Sequence, residues 1–178
     1  VEIRTDLACG YKITPQQLEA AITPKTKVFM FSSPCNPSGA VYTREELEGL
    51  AEVFRHHPEI VVISDEIYEY INFVGKHESI AQFDEIKDQV IVLNGLSKGF
   101  AMTGYRLGYI AANTDIIKAC EKLQGQFTSG TNSVTQRAAI TALVEDNAPS
   151  MEMTKEFTRR RARILELMKG IPGLKCIE

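Results

Sequence analysis

Three stretches of this 178-residue chain place chemically capable side chains directly after short apolar runs. The first is Ser33-Pro34-Cys35-Asn36-Pro37-Ser38-Gly39, in which two prolines flank the Asn36 amide. A stiff loop holding an amide donor suits recognition of an oxygen on a small ligand, although a plain turn between strand and helix has the same composition. The second is Ser64-Asp65-Glu66-Ile67-Tyr68. Asp65 and Tyr68 are three apart, so a helical turn starting there puts carboxylate and phenol on one face, converging on one ligand. An Asp at a strand end is equally a helix cap. The third runs from Asn94-Gly95-Leu96-Ser97-Lys98-Gly99 to Met102-Thr103-Gly104-Tyr105-Arg106-Leu107-Gly108-Tyr109.

That third stretch contains Gly-x-Ser-x-Gly, the pattern of a hydrolase nucleophile elbow. Such a hydrolase needs its His after the Ser, and His56, His57 and His77 all precede Ser97. A phosphate loop of the Gly-x-x-x-x-Gly-Lys-Ser/Thr type is also absent. The hydrolase reading survives only if a further part of the protein supplies a His, and Lys98 offers a second reactive group, an amine at the mouth of a parallel sheet. A single Lys is by default a solvated surface residue, but this one follows a buried strand directly. Partial desolvation and the nearby Arg106 lower the proton affinity of its amine and favour the neutral nucleophile. The chemistry of such an amine is Schiff-base formation with a carbonyl.

The elements that position these residues are legible as alternating strands and helices. Val28-Phe29-Met30-Phe31, Ile60-Val61-Val62-Ile63 and Val90-Ile91-Val92-Leu93 are continuous apolar runs, which predict strands buried on both faces. Leu107 to Ala111 is a fourth. Thr14-Pro15-Gln16-Gln17 and Thr43-Arg44-Glu45-Glu46 are capping boxes. The helix behind the second places Leu47, Leu50, Ala51 and Phe54 on one face. Further helices are predicted over about 114–124, 133–146 and 149–169, the middle one opened by a capping box at Ser133–Gln136. Strands separated by helices imply parallel pairing. The connection between the third and fourth strands is too short for a helical crossover, so the fourth is expected antiparallel to the third. The fold class is therefore α/β, a three-layer sandwich with a mostly parallel mixed sheet. Ligands of such sheets bind outside the carboxyl ends of the parallel strands, where all three loops lie.

Composition narrows the function without choosing it. The net charge of −3 gives no support for a nucleic-acid partner, and 44% hydrophobic residues exclude a disordered chain. Cys9, Cys35, Cys120 and Cys176 are scattered with no Cys-x-x-Cys pair, so a metal ribbon is unsupported and reduced thiols in a cytoplasm are favoured. The uncharged stretch 28–43 holds two prolines and is too short for a membrane span. Val1 is not a start Met, and Leu174 to Glu178 reads as the beginning of a strand, so a piece of a longer protein is expected. Arg159, Arg160, Arg161 and Arg163, with Glu152 and Glu156 nearby, read as the solvated face of a long helix rather than an anion site.

Taken together and in order, the segments Ser33–Gly39, Ser64–Tyr68, Gly95–Gly99 and Met102–Tyr109 resemble those of the class I and II aminotransferases, pyridoxal-phosphate enzymes of the aspartate aminotransferase superfamily. Gly10-Tyr11-Lys12-Ile13 and the region from Gln126 to Gln136 are also similar, so the resemblance covers nearly the whole chain. It implies that Lys98 holds pyridoxal phosphate as a Schiff base and then moves the proton at the substrate α-carbon. It implies that Asp65 pairs with the ring nitrogen, that Tyr68 and Asn36 donate to the ring oxygen, and that Ser97 and Arg106 bind the phosphate. Gly95 stands where many relatives carry a Ser that also touches phosphate. The implied reaction exchanges an amino group between an amino acid, aspartate-like or aromatic, and a 2-oxo acid.

Residues 1–150 then correspond to the central part of a cofactor-binding large domain, and 151–178 to a long helix leading towards a small domain. The polar run from Thr128 to Ser133 lies where relatives meet a partner subunit, which implies a homodimer. The family's stacking aromatic, one phosphate-binding turn and the carboxylate-binding Arg have no counterpart here. The isolated chain is thus expected to bind cofactor weakly and turn over poorly. Two other functions share these residues: another reaction on the same cofactor, such as C–S β-elimination or aminocyclopropane-carboxylate formation, and a cofactor-binding regulator without turnover.

Overall fold

The computed structural model describes residues 1–176. Four strands, β1 (Val28–Ser32), β2 (Val61–Asp65), β3 (Val90–Gly95) and β4 (Gly108–Ala111), form one sheet in the order β1-β2-β3-β4. The first three run parallel and β4 is antiparallel to β3. Five helices accompany them: α1 (Pro15–Ala21), α2 (Arg44–Arg55), α3 (Thr114–Phe127), α4 (Ser133–Val144) and α5 (Ala148–Lys169). This is an α/β architecture with a mixed, mostly parallel sheet. The antiparallel fourth strand follows from its short connection, as the spacing predicts.

Local chemistry sets the helix starts. Thr14 and Thr43 each accept the amide of the residue three on, and Gln17 and Glu46 accept back from the Thr14 and Thr43 amides. The predicted box at Ser133 does not form. Asn132, one residue earlier, caps α4 through its Oδ1, which accepts from Val134 N at 2.9 Å and Thr135 N at 3.2 Å. An Asn carbonyl on a short side chain reaches both orphan amides, and it displaces the Ser.

Register decides which side chains enter the core. Phe29 stands beside Val62 and Val62 beside Val90, while Phe31 stands beside Ser64 and Ser64 beside Val92. These rows face α1 and α2, where Leu18, Leu47, Leu50, Ala51, Phe54, Ile60 and Val62 are buried. Phe54 packs against Phe29 with ring centroids 5.3 Å apart and the rings tilted by 46°. The alternate rows do not share this burial. Met30 is 72% exposed and Val28 53%, so the expectation that β1 is buried on both faces is corrected. An unbroken apolar run contains both residue sets, and only long-range cover, which composition does not encode, buries the second.

The carboxyl end of β2 inherits the same alternation. Ser64 and Glu66 are buried towards the core, whereas Asp65 aligns with Ser32 and Leu93 in an outer row. At the chain's end, Leu174 to Cys176 forms no strand, and the rest of the strand expected there lies outside the described residues.

Candidate active site

Each of the three loops leaves the carboxyl end of a parallel strand. After β1, Ser33 N donates to Asp65 O at 3.1 Å, which ties the first loop to the end of β2. The Ser33–Pro34 and Asn36–Pro37 bonds are both cis. Cys35 N donates to Ala40 O and Gly39 N to Cys35 O, closing the loop around the exposed Asn36. Asn36 Nδ2 donates to Tyr68 Oη at 3.0 Å, although 32 residues separate them.

After β2 the chain turns instead of starting a helix, which corrects the helical-turn premise for Asp65 and Tyr68. Asp65 Oδ1 accepts from Ile67 N at 3.1 Å, and Glu69 N donates to Glu66 O at 2.9 Å. A carboxylate two residues before an amide stabilises a turn of this kind. The other Asp65 oxygen makes no hydrogen bond among the described residues. The turn presents Tyr68 to Asn36 on one side and to Lys98 on the other, with Lys98 Nζ 5.8 Å from the centroid of the Tyr68 ring.

After β3 the loop folds back on itself through Ala101 N to Lys98 O and Met102 N to Leu96 O. Its glycines are steric requirements. A Cβ at Gly99 would lie 2.6 Å from the Tyr70 ring, so the loop rests on Tyr70, which also meets Phe100 edge-on at 5.2 Å. A Cβ at Gly95 would lie 2.8 Å from Leu107 O. A Ser at Gly95 therefore has no room unless β4 shifts. Lys98 itself is exposed, so the partial desolvation expected for it is not found.

Ser97 and Arg106 reach the site by register. The β3–β4 ladder ends at Gly95 opposite Gly108, and Leu96 N still donates to Leu107 O at 3.3 Å. Ser97 and Arg106 thus leave the ladder from the same end. Arg106 has a left-handed backbone (φ 54°) and donates to Thr103 O at 3.0 Å. Beside it, Tyr105 O accepts from Thr135 Oγ1 of α4 at 3.0 Å. The structure therefore bonds Asn36 to Tyr68, sets Lys98 over the Tyr68 ring and Asp65 at the adjacent strand end, and brings Ser97 and Arg106 to one end of the β3–β4 pair.

Two features of the site lie beyond the sequence reading. Tyr70 seats the Lys98 loop and, through its carbonyl, accepts from Thr154 Oγ1 of α5. Its signal was the second Tyr of Tyr68-x-Tyr70 beside a glycine loop. The other is the buried carboxyl of Glu66. Ser64 Oγ donates to its Oε1 at 2.9 Å, Ser79 Oγ to the same oxygen at 2.6 Å, and Oε2 meets His77 Nε2 at 2.8 Å. Near it, burial pushes the Glu69 carboxyl up, opposed by His77 and by a hydrogen bond from Asn94.

The arginine run of α5 divides. Arg159 and Arg160 both bond Glu156, and Arg163 bonds Glu166, all exposed. Arg161 instead lies 5.8 Å from the Phe73 ring centroid. It lines a cavity of about 570 Å³ with Phe157 and Ile164 of α5, Asn36 and Tyr68. No helix among the described residues is long and apolar enough to cross a membrane.

Comparison with known proteins identifies the family. The family model described as aminotransferase class I and II matches residues 1–178. An aspartate aminotransferase from Bacillus subtilis (strain 168) is 45% identical over 170 residues, covering 94% of this chain and 43% of its own length. A bifunctional aspartate aminotransferase and glutamate/aspartate-prephenate aminotransferase from Petunia hybrida is 41% identical, covering 100% of this chain and 38% of its own. Among solved structures, the aspartate aminotransferase of Rhizobium meliloti superposes with a TM-score of 0.94 at 36% identity, over 97% of this chain and 44% of that one. An aromatic aminotransferase from Pyrococcus horikoshii OT3 gives 0.91 at 36% identity, over 99% of this chain and 48% of that one. The chain thus spans less than half the length of the relatives it matches. With its strand-end loops, its order of motifs and a family match along its full length, the chain belongs to the class I and II aminotransferases.

Proposed function

We propose that this chain is the cofactor-binding part of a pyridoxal-phosphate-dependent aminotransferase that moves an amino group between an amino acid and a 2-oxo acid. The observation that carries the proposal is the convergence of Asn36, Tyr68 and Lys98 beside Asp65 at the carboxyl ends of parallel strands. The relatives named as aspartate and aromatic aminotransferases favour an aspartate-like or aromatic amino acid. Residues 1–150 form the central part of the cofactor-binding domain, and 151–178 the helix that leads from it. The working enzyme is a cytoplasmic homodimer in this reading.

The donor set fits pyridoxal phosphate. It offers one amine, one carboxylate with an unspent oxygen, two neutral donors bonded to each other, and a hydroxyl with a guanidinium. Bound there, the pyridoxal ring supplies an electron sink for a carbon that loses its proton. Lys98 would hold the carbonyl carbon of the group through its Nζ, and its amine would be the base that moves a proton at the substrate α-carbon. Asp65 would pair by charge with a protonated ring nitrogen. Tyr68 already accepts from Asn36, so its own O–H is left to donate to the ring oxygen. Asn36 retains a second N–H for the same oxygen. Arg106 offers a planar fork to phosphate, with Ser97 as a further donor.

The test is turnover of amino-acid and 2-oxo-acid pairs by the full-length protein. Exchange of aspartate or an aromatic amino acid supports the proposal. Elimination at a C–S bond, or cofactor binding without exchange, points to another reaction class and overturns it.

A further inference from the structure

We propose that Glu66 is a positioning residue for the site: its buried carboxylate, held by Ser64, Ser79 and His77, fixes the turn that sets Asp65 and Tyr68 against Lys98. The inference rests on the reading of the site given above and extends it to residues that touch no ligand.

Strand alternation supplies the geometry. Asp65 and Glu66 are consecutive at the end of β2, so their side chains leave opposite faces. Asp65 lies in the outer row with Ser32 and Leu93, and Glu66 is only 4% exposed on the core side. Three partners hold it there: Ser64 from the strand, and His77 and Ser79 from the segment that follows the turn. Both ends of the excursion from Asp65 to Ser79 are thereby pinned to one carboxyl group. The backbone adds a fourth tie, Glu66 N to Leu93 O at 2.8 Å, which fastens the turn to β3.

The arrangement continues towards the Lys98 loop. Asn94 follows Leu93, whose carbonyl takes the Glu66 N–H, and Asn94 Oδ1 accepts from Gly95 N at 2.7 Å. A polar chain thus runs from the half-buried Ser79 and His77 through the buried Glu66, and through its backbone N–H to β3 beside the Gly95–Gly99 loop. His77 Nδ1 is buried and has no hydrogen-bond partner among the described residues. A buried carboxylate carries a desolvation cost that apolar residues avoid, so stability alone does not account for Glu66 here. Fixing one conformation of the Asp65–Tyr68 turn does.

The experiment compares the full-length wild type with Glu66→Gln and Ser64→Ala. Each is titrated with pyridoxal phosphate, and the circular dichroism of the visible band is divided by its absorbance. Glu66→Gln keeps the size but presents a donor to His77 Nε2–H, and affinity is expected to fall about tenfold. The ratio of dichroism to absorbance is expected to drop, because the bound group is held in more than one orientation. Ser64→Ala removes one hydroxyl and should move both readouts the same way by less. A merely structural role lowers the melting temperature and leaves the ratio of the loaded fraction unchanged. Unchanged affinity and ratio in Glu66→Gln overturn the inference, and if that variant does not fold, the same result in Ser64→Ala does. A wild type with no visible band overturns the site reading and this inference with it.

Discussion

The sheet half of the molecule, residues 1–111, and the helical half, residues 112–176, use their apolar residues differently. In the sheet half, Leu47, Leu50, Ala51, Phe54, Ile60 and Val62 are fully enclosed. In the helical half, α3 buries no residue, α4 buries Thr135 and Ala139, and α5 buries Ser150. Phe127 is 83% exposed and Val144 79%. The helices of the second half are set by caps and local pairs, such as Asn113 and Asn132 at their starts and Glu156 with two arginines. The difference teaches that helix periodicity reports a helix but not what covers it. It also explains where the site sits, since Asn36, Asp65, Tyr68 and Lys98 all hang from the half that carries its own core.

Paired truncations break or sharpen this contrast. Phe54→Ala empties the centre of the sheet-half core and should cost about 3–5 kcal/mol in urea unfolding. Phe127→Ala should cost less than about 0.5 kcal/mol. A large loss for Phe127 would mean that the helical half is covered in the folded protein and would erase the contrast.

Cap removal gives a smaller effect. Thr43→Ala removes one acceptor from a helix packed on the core and should cost about 1 kcal/mol of global stability. Asn132→Ala removes two bonds from α4. It should fray α4 locally, seen as faster amide exchange at Val134 and Thr135, with little change in global unfolding. A global loss equal to that of Thr43→Ala would show that the two halves unfold as one unit.

Much of this was legible because it is local. The boxes at Thr14 and Thr43 need only four residues each, and the direction of β4 needs only a loop length. The three strand-end loops stand out because apolar runs end in residues unsuited to strands. Other features depend on contacts that spacing does not encode. The open row of Val28 and Met30 looks the same in sequence as the row of Phe29 and Phe31, which packs half-buried against the core. Tyr68 and Asn36 are 32 residues apart, and their bond depends on how two loops lean. The Glu66 cluster draws His77 and Ser79 from 11 and 13 residues away, after an irregular turn. The Ser133 box failed for a local reason, because a better acceptor stood one position earlier.

The smallest expected effect is electrostatic. Hydrogen bonds from Arg159 and Arg160 hold the exposed Glu156 carboxyl down at about 2, from an ordinary value of 4.5. A depressed folded value stabilises α5 above the unfolded value, and that contribution is lost as pH falls from about 4.5 towards 2. Helicity by circular dichroism should decline slightly across that window, and Glu156→Gln should remove the decline. A decline unchanged by the substitution would assign it to other carboxylates.

The central claim is that Lys98 is the amine that holds the cofactor. Borohydride reduction of the full-length protein treated with pyridoxal phosphate, followed by peptide mass mapping, tests it most directly. The account predicts a single pyridoxyl adduct on Lys98, absent from Lys98→Ala together with the visible absorbance. An adduct on another lysine, or none at all, would contradict it.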